Sequence, residues 1–253
     1  MYRGFNLDLG NEDFSSYVAT GRAIHARNKN LVEKKLESFK DINGNLLASE
    51  IIAGWFSPIE ADVFLSHSHR DEEKIIGLAG WLNQEFGLVS FIDSCIWGYS
   101  ADLLKMIDDE YCYNRETNTY NYQKRNRSTG HVNMMLSTAL SKMINSCECI
   151  IFANTPNSIS AKDYIKGNTT DSPWIYSEIA MTSIIQKRAP NDHRRVVAKS
   201  QTSNENLDES LRIKYDVDLM HLTSLNIQDL NNWHLKNKKP GAESLDTLYA
   251  LKV

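Results

Sequence analysis

The four cysteines of this 253-residue chain (Cys95, Cys112, Cys147 and Cys149) form no CxxC pair, and no apolar run approaches the ~20 residues needed to cross a bilayer. Each absence removes a class of protein. Without paired cysteines, and with a polar stretch over residues 1–10 where a leader would carry an apolar centre, the expected setting is a reducing cytoplasm. No membrane partner is expected. A net charge of −4 gives no overall attraction for a phosphate backbone, so nucleic acid is not an expected partner either. GxGxxG, Walker A and GxSxG motifs are missing, and with them the common signatures of dinucleotide binding, NTP binding and the hydrolase nucleophile elbow. Internal repeats and low-complexity tracts are also missing.

What the chain does contain is ADVFLSHSHRD at residues 61–71. Val63, Phe64 and Leu65 in succession describe a short strand buried on both faces. The run stops at Ser66, His67, Ser68 and His69, after which Asp71, Glu72 and Glu73 supply an N-cap and an acidic first turn for a helix. A buried strand feeding a polar turn and a helix opens a β-α unit. In open α/β sheets ligands gather at the carboxyl ends of the strands, so the turn at Ser66 and His67 is the expected place for chemistry.

The remaining segments arrange themselves around that unit. Residues 1–60 read as helices, with Phe14, Val18 and Ile24 on one face and Leu31, Leu36 and Phe39 on another, and they predict a helical extension. Ile75, Leu78, Leu82 and Phe86 predict a helix that Gly87 ends, and residues 88–92 predict a second strand finishing at Asp93. Residues 94–100 read as a loop with a tight turn at Gly98, and 101–111 as a helix. Residues 111–130, rich in Asn, Tyr, Arg and Lys without a period, predict a long inserted loop. A helix over 134–145, a strand over 147–153 and a polar loop over 154–171 follow. Pro173 then opens a helix running to about residue 188. Strands are predicted at 195–199 and 215–222, a short helix at 227–235, and a weakly specified tail over 237–253. Five strands alternating with helices imply an α/β protein with a parallel, doubly wound sheet over residues 61–236.

Two groups of residues compete as a site. The first joins Ser66 and His67 after the first predicted strand, Asp93 after the second, and Trp174 with Glu178, which lie four apart and share a helix face. An aromatic wall beside a carboxylate suits a planar leaving group on a sugar, because the carboxylate can orient ribose hydroxyls and stabilise positive charge at the anomeric carbon. On spacing alone, a surface glutamate beside a core tryptophan is the commoner account of the pair, since WxxxE by itself is frequent. The second group is the HxHxD string His67, His69 and Asp71, which suits zinc or iron in a metallohydrolase. Against it, Glu72 follows where a further histidine would be needed, and the other five histidines are isolated.

ADVFLSHSHRDEE resembles the first sequence box of Toll/interleukin-1 receptor (TIR) domains. GLVSFID with the segment containing Gly98 is similar to that family's second strand and BB loop. MLSTALSKMINSCECIIFANTPNSIS is similar to the helix and strand leading into its WxxxE motif, here Trp174 to Glu178. The resemblance implies a flavodoxin-like five-stranded parallel sheet with helices on both faces. It also implies cleavage of NAD at the nicotinamide–ribose bond, with Glu178 catalytic and Ser66, His67, Asp93 and Trp174 lining the nucleotide site. NAD would be the substrate, and no resident cofactor or metal is implied. By the same resemblance the protein acts in antiphage defence of the Thoeris type. It would assemble into a homo-oligomer on activation by a phage-derived trigger and make ADP-ribose, or a cyclic or conjugated form, for a separate effector protein. A non-enzymatic TIR scaffold is the alternative. The segment between Asp93 and Cys149 departs from the family pattern.

Overall fold

The computed structural model describes residues 1–29, 36–56, 59–92, 94–161, 168–194 and 215–252. Along the first half come β1 (Arg3–Asp8), α1 (Val18–Lys29), α2 (Ala48–Trp55), β2 (Val63–Ser66), α3 (Glu72–Phe86), β3 (Ser90–Ile92) and α4 (Ser94–Tyr111). A hairpin of β4 (Tyr113–Asn114) and β5 (Thr119–Tyr120) leads into α5 (Tyr122–Ser146), β6 (Cys149–Asn154), β7 (Ser160–Ala161) and β8 (Asn168–Thr170). The last elements are α6 (Pro173–Ile184), α7 (Pro190–His193), β9 (Tyr215–Val217), β10 (Thr223–Leu225), α8 (Ile227–Lys236) and α9 (Ser244–Leu251).

Among the described residues five strands form one parallel sheet in the order β10-β1-β6-β2-β3, with helices on both faces, so the α/β, flavodoxin-like class holds. Its route differs from the expected one at the first strand. Residues 3–8, expected within a helical extension, lie in the sheet between β6 and β10, with Phe5 paired to Ile151 and Thr223. Residues 1–60 are therefore not a separable cap, although α1 and α2 are helical as expected. Counted from β2 alone, the order begins 2-1-3 as in flavodoxin-like sheets, and β1 takes the fourth place. Its alternation, with Phe5 and Leu7 inward on one face, has period two and reads as a strand only at this short range.

Strand alternation sends side chains into two cores. Phe5, Leu7, Val63, Leu65 and Ile151 meet α3, α8 and α9 on one face, whereas Phe64, Phe91 and Ile150 meet α2, α4 and α5 on the other. Phe152 belongs to a third group, packed with Ile175 and Ile179 of α6. On the first face α1 crosses α3 closely enough that a Cβ on Gly21 would fall 1.9 Å from the Ile76 carbonyl oxygen, which requires glycine there.

Four further expectations are corrected. The expected loop at 94–100 is the first turns of α4, because Gly98 weakens a helix without stopping it. The expected loop at 111–130 is the β4–β5 hairpin followed by the first turns of α5, capped by Asn121, whose side chain accepts the Lys124 N–H at 3.0 Å. Those turns bury little besides Ser128, so no apolar period marked them. The strand expected over 215–222 is only β9, in a small antiparallel sheet with β7 and β8, and the fifth strand of the main sheet is β10. The expected tail contains α9, with Leu245 and Leu248 fully buried. The strand expected over 195–199 lies outside the described residues.

Cys112, Cys147 and Cys149 are buried and free, and burial pushes the Cys147 thiol up to about 12. Cys149 is raised for the same reason. Thiolate is the reactive form, so a Cys95→Ser variant should show no thiol reactive toward a disulfide reagent until it is unfolded. A native-state titration against a denatured one checks this. Among the described residues no helix is long and apolar enough to cross a membrane.

Candidate active site

Where the chain runs from β2 to α3 and β3 on one side, and β6 lies on the other, the sheet has a topological switch point. Ser66 is the last residue of β2, in register with Phe152 of β6, and by alternation it faces the same side as Phe64. That is the side covered by α6. The helix starts cleanly: the Ser172 side chain accepts the Ile175 N–H at 3.3 Å, and Pro173 occupies the first turn. Ile175 and Ile179 then seat α6 on Phe152. Glu178, on the same buried stripe, is thereby brought over the end of β2.

Ser66 Oγ donates to Glu178 Oε2 at 2.6 Å, and both residues are only 2 % exposed. His67, the next residue, is also buried. Two predicted segments separated by more than a hundred residues therefore meet in one buried polar contact. Trp174 is half-buried and packs against the α5 core. The pair is thus the reverse of a surface glutamate beside a core tryptophan: the glutamate is inside and the indole partly outside. Asp93 lies outside the described residues.

The HxHxD string does not converge. His67 is buried, His69 is exposed, and the Asp71 carboxylate turns toward the loop after β6. Among the described residues no group of three or more His, Cys, Asp or Glu side chains is placed to hold a metal ion.

Asp71 corrects a smaller expectation. It stands at the N-cap position of α3, but its side chain caps nothing there. Oδ2 instead accepts from Thr155 Oγ1 at 2.5 Å and Oδ1 from Asn157 Nδ2 at 2.7 Å. The loop so gripped is itself knotted: the Thr155 N–H donates to Ser158 Oγ, and Ser158 Oγ donates back to the Ala153 carbonyl, both at 2.9 Å. Asp71, Thr155 and Asn157 thus fix the spacing of the two loops that flank the switch point. Sequence reasoning missed Thr155 and Asn157. Their signal was a Thr-Pro-Asn-Ser turn directly after a buried strand.

Fold and site together define an α/β protein with a buried carboxylate at the switch point of a parallel sheet, held by a serine from the end of a central strand. No family model, curated protein or solved structure matches the chain.

Proposed function

We propose that the chain is a TIR-domain enzyme that cleaves the nicotinamide–ribose bond of NAD, in the cytoplasm and in an antiphage setting of the Thoeris type. One observation carries this reading: the Ser66–Glu178 hydrogen bond joins the strand box and the WxxxE motif, on which the family resemblance rests, at the sheet's switch point. The β1 strand counts as a departure, since it takes the fourth place of the order 2-1-3-4-5.

In this reading Glu178 orients the ribose hydroxyls and stabilises the positive charge that grows at the anomeric carbon as neutral nicotinamide leaves. Ser66 is a positioning residue that aims the carboxylate. Trp174, His67 and Asp93 line the nucleotide. Water, the adenine of the same molecule or another acceptor then takes the ribosyl cation, giving ADP-ribose, a cyclic isomer or a conjugate for a separate effector. Glu178 is buried, so NAD reaches it only after a local opening, which accords with activation by self-assembly under a phage-derived trigger.

The test is incubation of the protein with NAD across a concentration series that favours self-association, with products resolved by mass. Nicotinamide release supports the reading. Intact NAD in the assembled protein favours the scaffold alternative. Ser66→Ala removes one hydrogen-bond donor to the buried Glu178 carboxylate, at a cost of about 2 kcal/mol. Turnover is expected to fall about tenfold with KM for NAD little changed, since the contact aims a charge used in the transition state. Steady-state kinetics beside a denaturation curve separates the two effects.

A further inference from the structure

On the face of the sheet opposite α6, the segment after β1 closes over α3 and α8 to leave a groove of about 260 Å³. Its floor is apolar: Phe14, Trp81 and Leu230 are all buried. Its walls are acidic, with Glu12, Asp13 and Glu85 lining it and no lysine or arginine among the described lining residues.

We infer that this groove binds a small aliphatic polyamine, its methylene stem lying on Trp81, Phe14 and Leu230 and its ammonium ends on the carboxylates. Charge complementarity selects a cation. Geometry selects an extended one: among the described residues no three acidic or histidine groups come together as a metal site, so the carboxylates suit separated charges. Size agrees, since the groove is many times larger than the ~10–15 Å³ needed to hold one water-sized group. The acids keep spare acceptor capacity. Glu85 Oε1 accepts from the Tyr17 hydroxyl at 3.2 Å, its Oε2 lies 3.6 Å from His234 Nδ1, and Asp13 accepts from the Ser15 N–H and hydroxyl. A carboxylate offers roughly four lone-pair sites, so each acid can still receive an ammonium N–H. Lys74, the cation whose charge bears on Asp13, has its ammonium on the Gly10 carbonyl at 2.9 Å.

The test is calorimetric titration of spermidine into the full chain, repeated with Glu85→Gln, Glu12→Gln and, away from the groove, Asp218→Asn. Saturable one-to-one binding is expected. Glu85→Gln and Glu12→Gln should each weaken it about tenfold, the size of one lost charge-assisted contact, and Asp218→Asn should leave it unchanged. Glu12 is exposed, so its variant keeps the test open if Glu85→Gln disturbs the fold. No saturable binding at millimolar spermidine overturns the inference, as does equal weakening by Asp218→Asn or equally strong binding of magnesium alone.

Discussion

Glu178→Gln is expected to reduce nicotinamide release from NAD by at least about 10²-fold, the range seen when a preorganised electrostatic contact to a transition state is removed. The thermal midpoint should hardly move. The amide has the shape of the carboxylate, and its oxygen can still accept the Ser66 hydroxyl at the 2.6 Å contact. What the substitution deletes is the negative charge, and charge is what the reading requires, because departure of neutral nicotinamide leaves the ribose cationic. Burial strengthens the argument: Glu178 is 2 % exposed, and charge acts more strongly out of water. The scaffold alternative gives the opposite expectation, since an isosteric change inside the fold leaves its surface and partners intact. Product analysis of wild type and variant at matched concentration, beside their melting curves, decides between them.

The parts of this site legible in sequence are those that bury side chains in regular patterns. The VFLS run of β2, the α3 stripe and the Ser172-Pro173 start of α6 are local signals, and each element forms where it was expected. Glu178 could be nominated from the Trp174 spacing, but spacing does not say which of the two is buried. That depends on Ile175 and Ile179 finding Phe152, a contact between distant segments. β1 was missed for a similar reason. Arg3–Asp8 is six residues long, and its membership of the sheet comes from pairing with β6 and β10, which lie far along the chain. Asp71 shows how a correct residue can carry the wrong role. An aspartate ahead of a helix signals a cap, yet Thr155 and Asn157 from another loop outbid the local N–H groups for its oxygens. The aperiodic 111–130 segment was legible as polar and exposed but not as helical, because the first turns of α5 extend beyond the core that would impose a period.

Arg194→Ala is expected to destabilise the fold by about 3–5 kcal/mol near neutral pH, as when one partner of a buried ion pair is removed. Glu148, at the amino end of β6, is 2 % exposed, and Arg194 grips it with both arms, Nε to Oε2 at 2.9 Å and Nη2 to Oε1 at 2.8 Å. The Tyr249 hydroxyl of α9 donates to Oε1 at 3.1 Å, while the Glu148 carbonyl accepts the Tyr2 N–H at 2.7 Å. One residue therefore ties β6 to the start of β1 and to the C-terminal helix. Arg194 also reaches Asp246 on α9 at 2.8 Å. Burial pushes the Glu148 carboxyl above its ordinary value, and the Arg194 guanidinium opposes that rise. Without the guanidinium the rise is larger. A carboxyl whose folded pKa lies above its unfolded one favours the fold fully below the unfolded value, near 4.5, and loses that contribution as pH climbs through the folded value. The deficit of Arg194→Ala should therefore be greatest at neutral pH and shrink as pH falls toward 4.5. Asp246 sets the lower limit of that recovery. Arg194 and Lys239 hold its carboxyl below the usual 3.8 in the wild type, so its contribution is present above that value and lost as pH falls below it. Denaturant unfolding of both proteins between pH 4.5 and 8 checks the trend, and a deficit independent of pH would show that Glu148 does not carry it.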